Sequence, residues 1–190
     1  RNLSLSFNGG NNFAWESEFI QKSLFKSAAP SMQVGVPTAA ANTLGGGSSS
    51  EYLYGDAGDD ILKANGGSDW LDGGSGNDLL NGQAGIDLMD GEEGSDIYLI
   101  GLAAAHTAAE IADTGSSGVD EVRFAATTAS TLTLFAGDTG IERVVLGTGT
   151  GAVATSTGSA ALNADASALV NAITMVGNAG ANVLTGTAFA

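Results

Sequence analysis

The chain has 190 residues, room for one ordinary domain or for one solenoid with flanking pieces. Its 21 acids against 6 bases leave a net charge of −15, which argues against nucleic acid or an anionic membrane surface as a partner, since both call for basic stripes. Gly contributes 29 residues beside only 2 Pro and no Cys, so collagen, a disulfide framework and a thiolate metal site are excluded; 43% hydrophobic residues argue against plain disorder, and a repeated tight turn remains.

Residues 1–28 hold a strand-like stretch, Leu3 to Phe7, and an Asn-Gly-Gly turn. A helix is expected from about Asn12 to Ala28, because Trp15, Phe19, Ile20 and Leu24 fall at helical spacing behind Asn12 as N-cap. These residues read as the end of a preceding domain or as an N-terminal cap. Residue 1 is Arg and Asn2–Phe7 is too short and polar for a signal peptide, so the chain reads as a fragment. Residues 29–45 contain both prolines, Pro30 and Pro37, among small residues, and read as a linker. No run approaches the ~20 apolar residues of a bilayer span.

From Gly46 the chain divides into six units of nine: GGSSSEYLY, GDAGDDILK, ANGGSDWLD, GGSGNDLLN, GQAGIDLMD and GEEGSDIYL. Position six is always an acid (Glu51, Asp60, Asp69, Asp78, Asp87, Asp96) and position eight always large and apolar (Leu53, Leu62, Leu71, Leu80, Met89, Tyr98). Position four is Gly in every unit but the first, where Ser49 stands. Six turn residues and a three-residue strand fit neither a helix nor an irregular loop. Gly at positions one and four is expected to supply φ > 0 and close backbone approach. Strand alternation sends position eight inward and positions seven and nine outward. Two units then complete a coil, so acids of alternate units stack on one edge, about 4.8 Å apart. From Glu51 to Asp96, twelve acids face one base, Lys63. Such a stack is unstable unaided, and a hard cation that accepts irregular shells of six to eight oxygens, Ca²⁺ rather than Mg²⁺, resolves the repulsion.

These units closely resemble the RTX (hemolysin-type) calcium-binding repeats, with their G-G-x-G-x-D-x-U-x pattern. The resemblance implies an all-β fold, a right-handed parallel β-roll over 46–100, with type I secretion from a Gram-negative bacterium and folding triggered by extracellular Ca²⁺. It implies Asp60, Asp69, Asp78, Asp87 and Asp96 as ligand acids, with Gly58, Gly67, Gly76, Gly85 and Gly94 at the position-four turn. Glu51 is the matching acid of the first unit, which departs from the pattern in having Ser49 for Gly and Glu for Asp.

Residues 101–165, rich in Thr, Ala, Val and Gly, form a β-rich connecting segment with strand-type runs at 119–124, 131–135 and 141–146. Residues 166–190 start a second, degenerate block, in which Gly177 to Thr185 keeps the phase but carries Asn182 at position six. This tail resembles the stretches that join RTX blocks in long surface proteins. A neutral amide lacks the charge that favours Ca²⁺, so this coil is expected to stack while binding calcium weakly or not at all.

Nothing here reads as an enzyme. The single histidine, His106, has no second His nearby and reads as structural; neither H-E-x-x-H nor G-x-S-x-G occurs. The expected function is a calcium-dependent structural module of a secreted or cell-surface bacterial protein, of adhesin or surface-layer type. The alternative is an accessory roll of an extracellular lipase, protease or polysaccharide-modifying enzyme. A third reading, a carbohydrate-binding roll, would use Tyr52 and Trp70 as stacking platforms. Calcium is the expected partner, with another surface protein or a polysaccharide beyond it. Position seven carries two apolar trios, Tyr52/Trp70/Leu88 and Ile61/Leu79/Ile97, of which at least one is expected to be buried. The expected covers are the 12–28 helix for one trio and, for the other, the tail after Gly101 or a neighbouring molecule.

Overall fold

The computed structural model describes residues 31–34, 40–102, 104, 106 and 110–189. The expected N-terminal strand and helix lie outside these residues. Sixteen strands follow one another in the described residues: β1 (Ser31–Val34), β2 (Thr43–Gly45), β3 (Glu51–Tyr54), β4 (Ile61–Lys63), β5 (Gly66–Gly67), β6 (Trp70–Ser75), β7 (Leu79–Asn81), β8 (Ala84–Gly85), β9 (Leu88–Glu93), β10 (Ile97–Ile100), β11 (Glu121–Phe124), β12 (Ser130–Thr133), β13 (Arg143–Leu146), β14 (Leu162–Asp165), β15 (Thr174–Val176) and β16 (Leu184–Thr185). No helix among the described residues is long and apolar enough to cross a membrane.

All sheet pairings are parallel, and the repeat units alternate between two sheets, as a two-unit coil requires. Odd units build the sheet β1-β3-β6-β9, in which Tyr52 pairs with Trp70 and Trp70 with Leu88. Even units build the longer sheet β15-β13-β11-β10-β7-β4-β2, in which Ile61, Leu79 and Ile97 are successive partners. Two smaller sheets, β5-β8 and β12-β14-β16, complete the set. The architecture is a parallel β-roll.

Position eight fills the space between the two sheets. Leu53, Leu62, Leu71, Leu80, Met89 and Tyr98 are all buried in one core with Val122, Phe124, Val144 and Leu146 of the tail. Each such side chain contributes roughly 1.5–3 kcal/mol through burial. One in every nine residues therefore holds the solenoid together.

The roll is longer than the repeats. β1 pairs with β3 and β2 with β4, so residues that read as linker add strands at one end, and Leu44 packs against the core. At the other end β11, β13 and β15 extend the even-unit sheet without interruption, their register running from Tyr98 through Val122 and Val144 to Met175.

The turn geometry differs from expectation at one position. Gly at position four does take positive φ, from Gly58 at 110° to Gly94 at 147°. Position one does not. Its partner in left-handed geometry is position two, where Asp56, Asn65, Gln83 and Glu92 sit at φ of 63° to 78° and Gly74 at 95°. Asp and Asn adopt this conformation at modest cost because the short side chain bonds locally; Gln and Glu adopt it with more strain.

Neither position-seven trio stands free in water. Tyr52 and Trp70 are buried and meet edge to face with centroids 5.4 Å apart, while Leu88 is half-buried. Leu79 is buried between half-buried Ile61 and Ile97. That second trio lines a groove with Glu121, Arg123 and Arg143 beneath Thr150 and Ala152 of the tail. Arg123, fully buried, bonds Glu121 Oε1 through Nε at 2.6 Å and the carbonyls of Gly149 and Gly151 through Nη1, pinning that loop over the sheet.

Candidate metal centre

The position-six acids form two ladders along the edges of the roll. On the even-unit edge, the Asn42 N–H donates to Asp60 Oδ1 at 2.5 Å, Asp60 N–H to Asp78 Oδ1 at 2.7 Å, and Asp78 N–H to Asp96 Oδ1 at 2.7 Å. On the odd-unit edge, Glu51 N–H donates to Asp69 Oδ1 at 2.8 Å and Asp69 N–H to Asp87 Oδ1 at 2.9 Å. The structure thus brings the six sequence-expected acids together in the pairs that the two-unit coil requires, and it buries all six.

One oxygen of each even-edge acid is therefore occupied, and the other is not. Oδ2 of Asp60, Asp78 and Asp96 is buried without a hydrogen-bond partner. A buried anionic oxygen with no donor carries a large desolvation penalty. The cause lies in position one: a methyl group added at Gly55, Gly73 or Gly91 would overlap Oδ2 of Asp60, Asp78 or Asp96 respectively. Glycine there leaves the carboxylate facing the bare backbone of its own turn. The carbonyls of Gly58, Gly67 and Gly76 lie against the next position-four glycine, so that Cβ atoms at Gly76, Gly85 and Gly94 would overlap them. The expected turn glycines thus pack coil on coil through backbone.

Burial raises the carboxyl groups, Asp78 to about 7 and Asp96 to about 8, against the opposing pull of the N–H bonds each accepts; neighbouring acids push in the same direction as burial. Only a proton or a cation relieves such a stack. The donors are carboxylate oxygens with turn carbonyls close by and no nitrogen or sulfur ligand, a set suited to a hard divalent ion. The buried, unpartnered oxygens fit Ca²⁺: Asp60, Asp78 and Asp96 would hold it on one edge, and Glu51, Asp69 and Asp87 supply the matching acids on the other.

The family model of the RTX calcium-binding nonapeptide repeat (4 copies) matches residues 45–80 and 72–101. Residues 45–101 are an RTX calcium-binding repeat block. Comparison with curated proteins and with solved structures returned no match. The RTX ladder does not stop where the match does. Asp96 N–H donates to Asp120 Oδ1 at 2.8 Å, and Asp120 N–H to Glu142 Oε2 at 2.9 Å. Reading by nine-residue phase misses both acids, because their steps are 24 and 22 residues where the RTX coil has 18. A local signal was available: each acid precedes a core residue by two, Asp120 before Val122 and Glu142 before Val144, just as Asp96 precedes Tyr98.

In the degenerate coil, Asn182 Nδ2 donates to Leu162 O at 2.7 Å and to Asn178 Oδ1 at 2.7 Å. Its Oδ1 faces Gly177 as Asp78 Oδ2 faces Gly73. The amide supplies its own donor, where an RTX carboxylate requires a cation.

His106 is buried, with Nε2 3.0 Å from Asp138 Oδ2 and Nδ1 3.1 Å from Glu110 Oε2. Burial pulls its pKa down, but bonds to Asp138 and Glu110 overcome this and raise it to about 9. Its ring lies between Glu110 and Asp138 and so ties two loops of the tail together.

Proposed function

We propose that this chain is a calcium-dependent structural module of a secreted or cell-surface bacterial protein, of adhesin or surface-layer type, and that it has no catalytic role of its own. RTX calcium-binding repeats make it a calcium-binding structural module. The observation that carries the reading is the row of buried, unpartnered carboxylate oxygens on Asp60, Asp78 and Asp96. Metal binding free energy is then folding free energy, because the ladder closes only when the cation is present. Extracellular calcium modules bind at roughly 10⁻⁴–10⁻³ M, so the roll stays open at cytosolic calcium and folds outside the cell. The secreted destination draws on the general habit of RTX proteins, and the structural role on a sheet that runs unbroken from β2 to β15. His106 supports the non-catalytic reading, since both ring nitrogens are engaged by carboxylates.

Circular dichroism in EDTA and then in millimolar Ca²⁺ tests the proposal. The expected result is little β signal in EDTA and its recovery with calcium. An unchanged β spectrum in EDTA contradicts it.

A further inference from the structure

We propose that Asp96, Asp113 and Asp120 form a further calcium site, outside the repeat pattern, that fastens the segment following the repeats onto the end of the roll. The proposal rests on the calcium reading of the repeats, but two of its three acids lie beyond the matched residues 45–101.

The three carboxylates are buried and each offers an oxygen within 4.8 Å of the others. Different parts of the fold bring them together. Pairing of β10 with β11 sets Asp120 beside Asp96, and the Asp96 N–H donates to Asp120 Oδ1. Asp113 arrives on the chain after the Met89–Ile111 bridge and is fixed by two donors: Gly115 N–H to Oδ1 at 2.7 Å and Tyr98 O–H to Oδ2 at 2.9 Å.

A separate observation points to a ligand. Asp96 is 0% exposed, its Oδ1 accepts the Asp78 N–H, and its Oδ2 is buried without a partner. That oxygen lies against Gly91, whose N–H donates at 2.8 Å to the same Tyr98 hydroxyl that binds Asp113. Oδ2 of Asp96 therefore lies beside Gly91, which shares the Tyr98 hydroxyl with Asp113. Among the described residues, the ion pairs of His106, Arg123 and Arg143 go to Glu110, Asp138 and Glu121 and not to these three acids. Three carboxyl groups in one buried place, without a base beside them, suit a hard divalent cation with an all-oxygen shell, and Ca²⁺ accepts the irregular geometry that Mg²⁺ does not. The site joins the last repeat to β11, so an ion there couples docking of the tail to closure of the roll.

The test is the number of ions held by the full chain in millimolar Ca²⁺, counted by native mass spectrometry and checked by calorimetric stoichiometry. D113N is expected to hold one ion fewer than the unsubstituted chain while keeping the calcium-induced β signal. D120N is the second variant, should D113N not refold, and should lose the same ion. Y98F removes a hydrogen bond to Asp113 but no ligand, and should keep the full count. An unchanged count in whichever Asn variant refolds overturns this site and leaves the calcium reading of the repeats standing. Loss of the ion in Y98F as well overturns direct ligation, because packing alone would then explain it. An unsubstituted chain that binds no calcium at all overturns both readings.

Discussion

Asp78 occupies the middle of the even-edge ladder, so the residue takes part in two contacts between coils: its carboxylate Oδ1 accepts the Asp60 N–H, while its backbone N–H donates to Asp96. Glu51 stands at the start of the other ladder, and its Oε2 turns back to its own turn at Gly47 N–H, 3.0 Å away. Asp78→Ala should therefore weaken calcium binding by at least about tenfold, or about 1.4 kcal/mol, and Glu51→Ala by clearly less. Isothermal titration of the two variants checks the ranking, and equal losses would mean that the two edges are wrongly assigned. A second residue-scale expectation concerns Gly94. It sits at φ 147°, where a Cβ would overlap the Gly76 carbonyl. Gly94→Ala should cost about 1–3 kcal/mol and lower the melting temperature even in saturating calcium, whereas an unchanged melting temperature would show that the coils can separate there. The role of position four was legible because glycine recurs there. The left-handed geometry of position two was legible only in part, since Asp56, Asn65 and Gly74 are residue types that take positive φ readily while Gln83 and Glu92 are not.

Among the elements, the tail strands depend on a contact that no repeat supplies. His106 links the loop before Ile111 to Asp138 ahead of β13, with the Phe135 ring 5.8 Å away and Glu110 on its other nitrogen. Its folded pKa of about 9 lies above the ordinary 6.5, so its stabilisation is fully present below about pH 6.5 and is lost as pH rises through about 9. The contribution is on the order of 3 kcal/mol. In saturating calcium, the melting temperature should fall between pH 7 and pH 9.5, and His106→Gln should flatten that fall while lowering stability at pH 7. Thermal denaturation across this range decides it; parallel profiles would show that the clamp is not ionised. The sequence marks His106 as structural because it is alone; Glu110 stands only 4 residues on, but Asp138, 32 residues away, meets it only through the tertiary fold. Strands β1 and β2 were hidden for a related reason. In the nine residues before Gly46, Asn42 and Leu44 do hold positions six and eight, but Asn stands for the acid and Pro37 for the opening glycine, while β1 pairs with β3 at a step of 20 residues, out of phase with the rest.

The described residues form one roll whose middle is written in a strict code and whose ends are not. Position-eight burial and the acid pairs follow directly from a period of nine and a coil of 18 residues. Beyond Gly101 the return arms lengthen and the phase is lost; Asp120 and Glu142 join the acid edge only because β11 and β13 keep the register of β10, and Asp113 arrives after the Met89–Ile111 bridge. The core tolerates this, since a strand needs only its inward residue in place, and Val122 and Val144 provide it. Throughout, the fold sets carboxylates where burial without a cation is unfavourable, and the central claim is that calcium lies among them. Anomalous diffraction at a long wavelength, on crystals grown in millimolar Ca²⁺, locates the ions directly. Peaks should lie beside Oδ2 of Asp60, Asp78 and Asp96; a folded roll with no anomalous density at these oxygens would contradict the account.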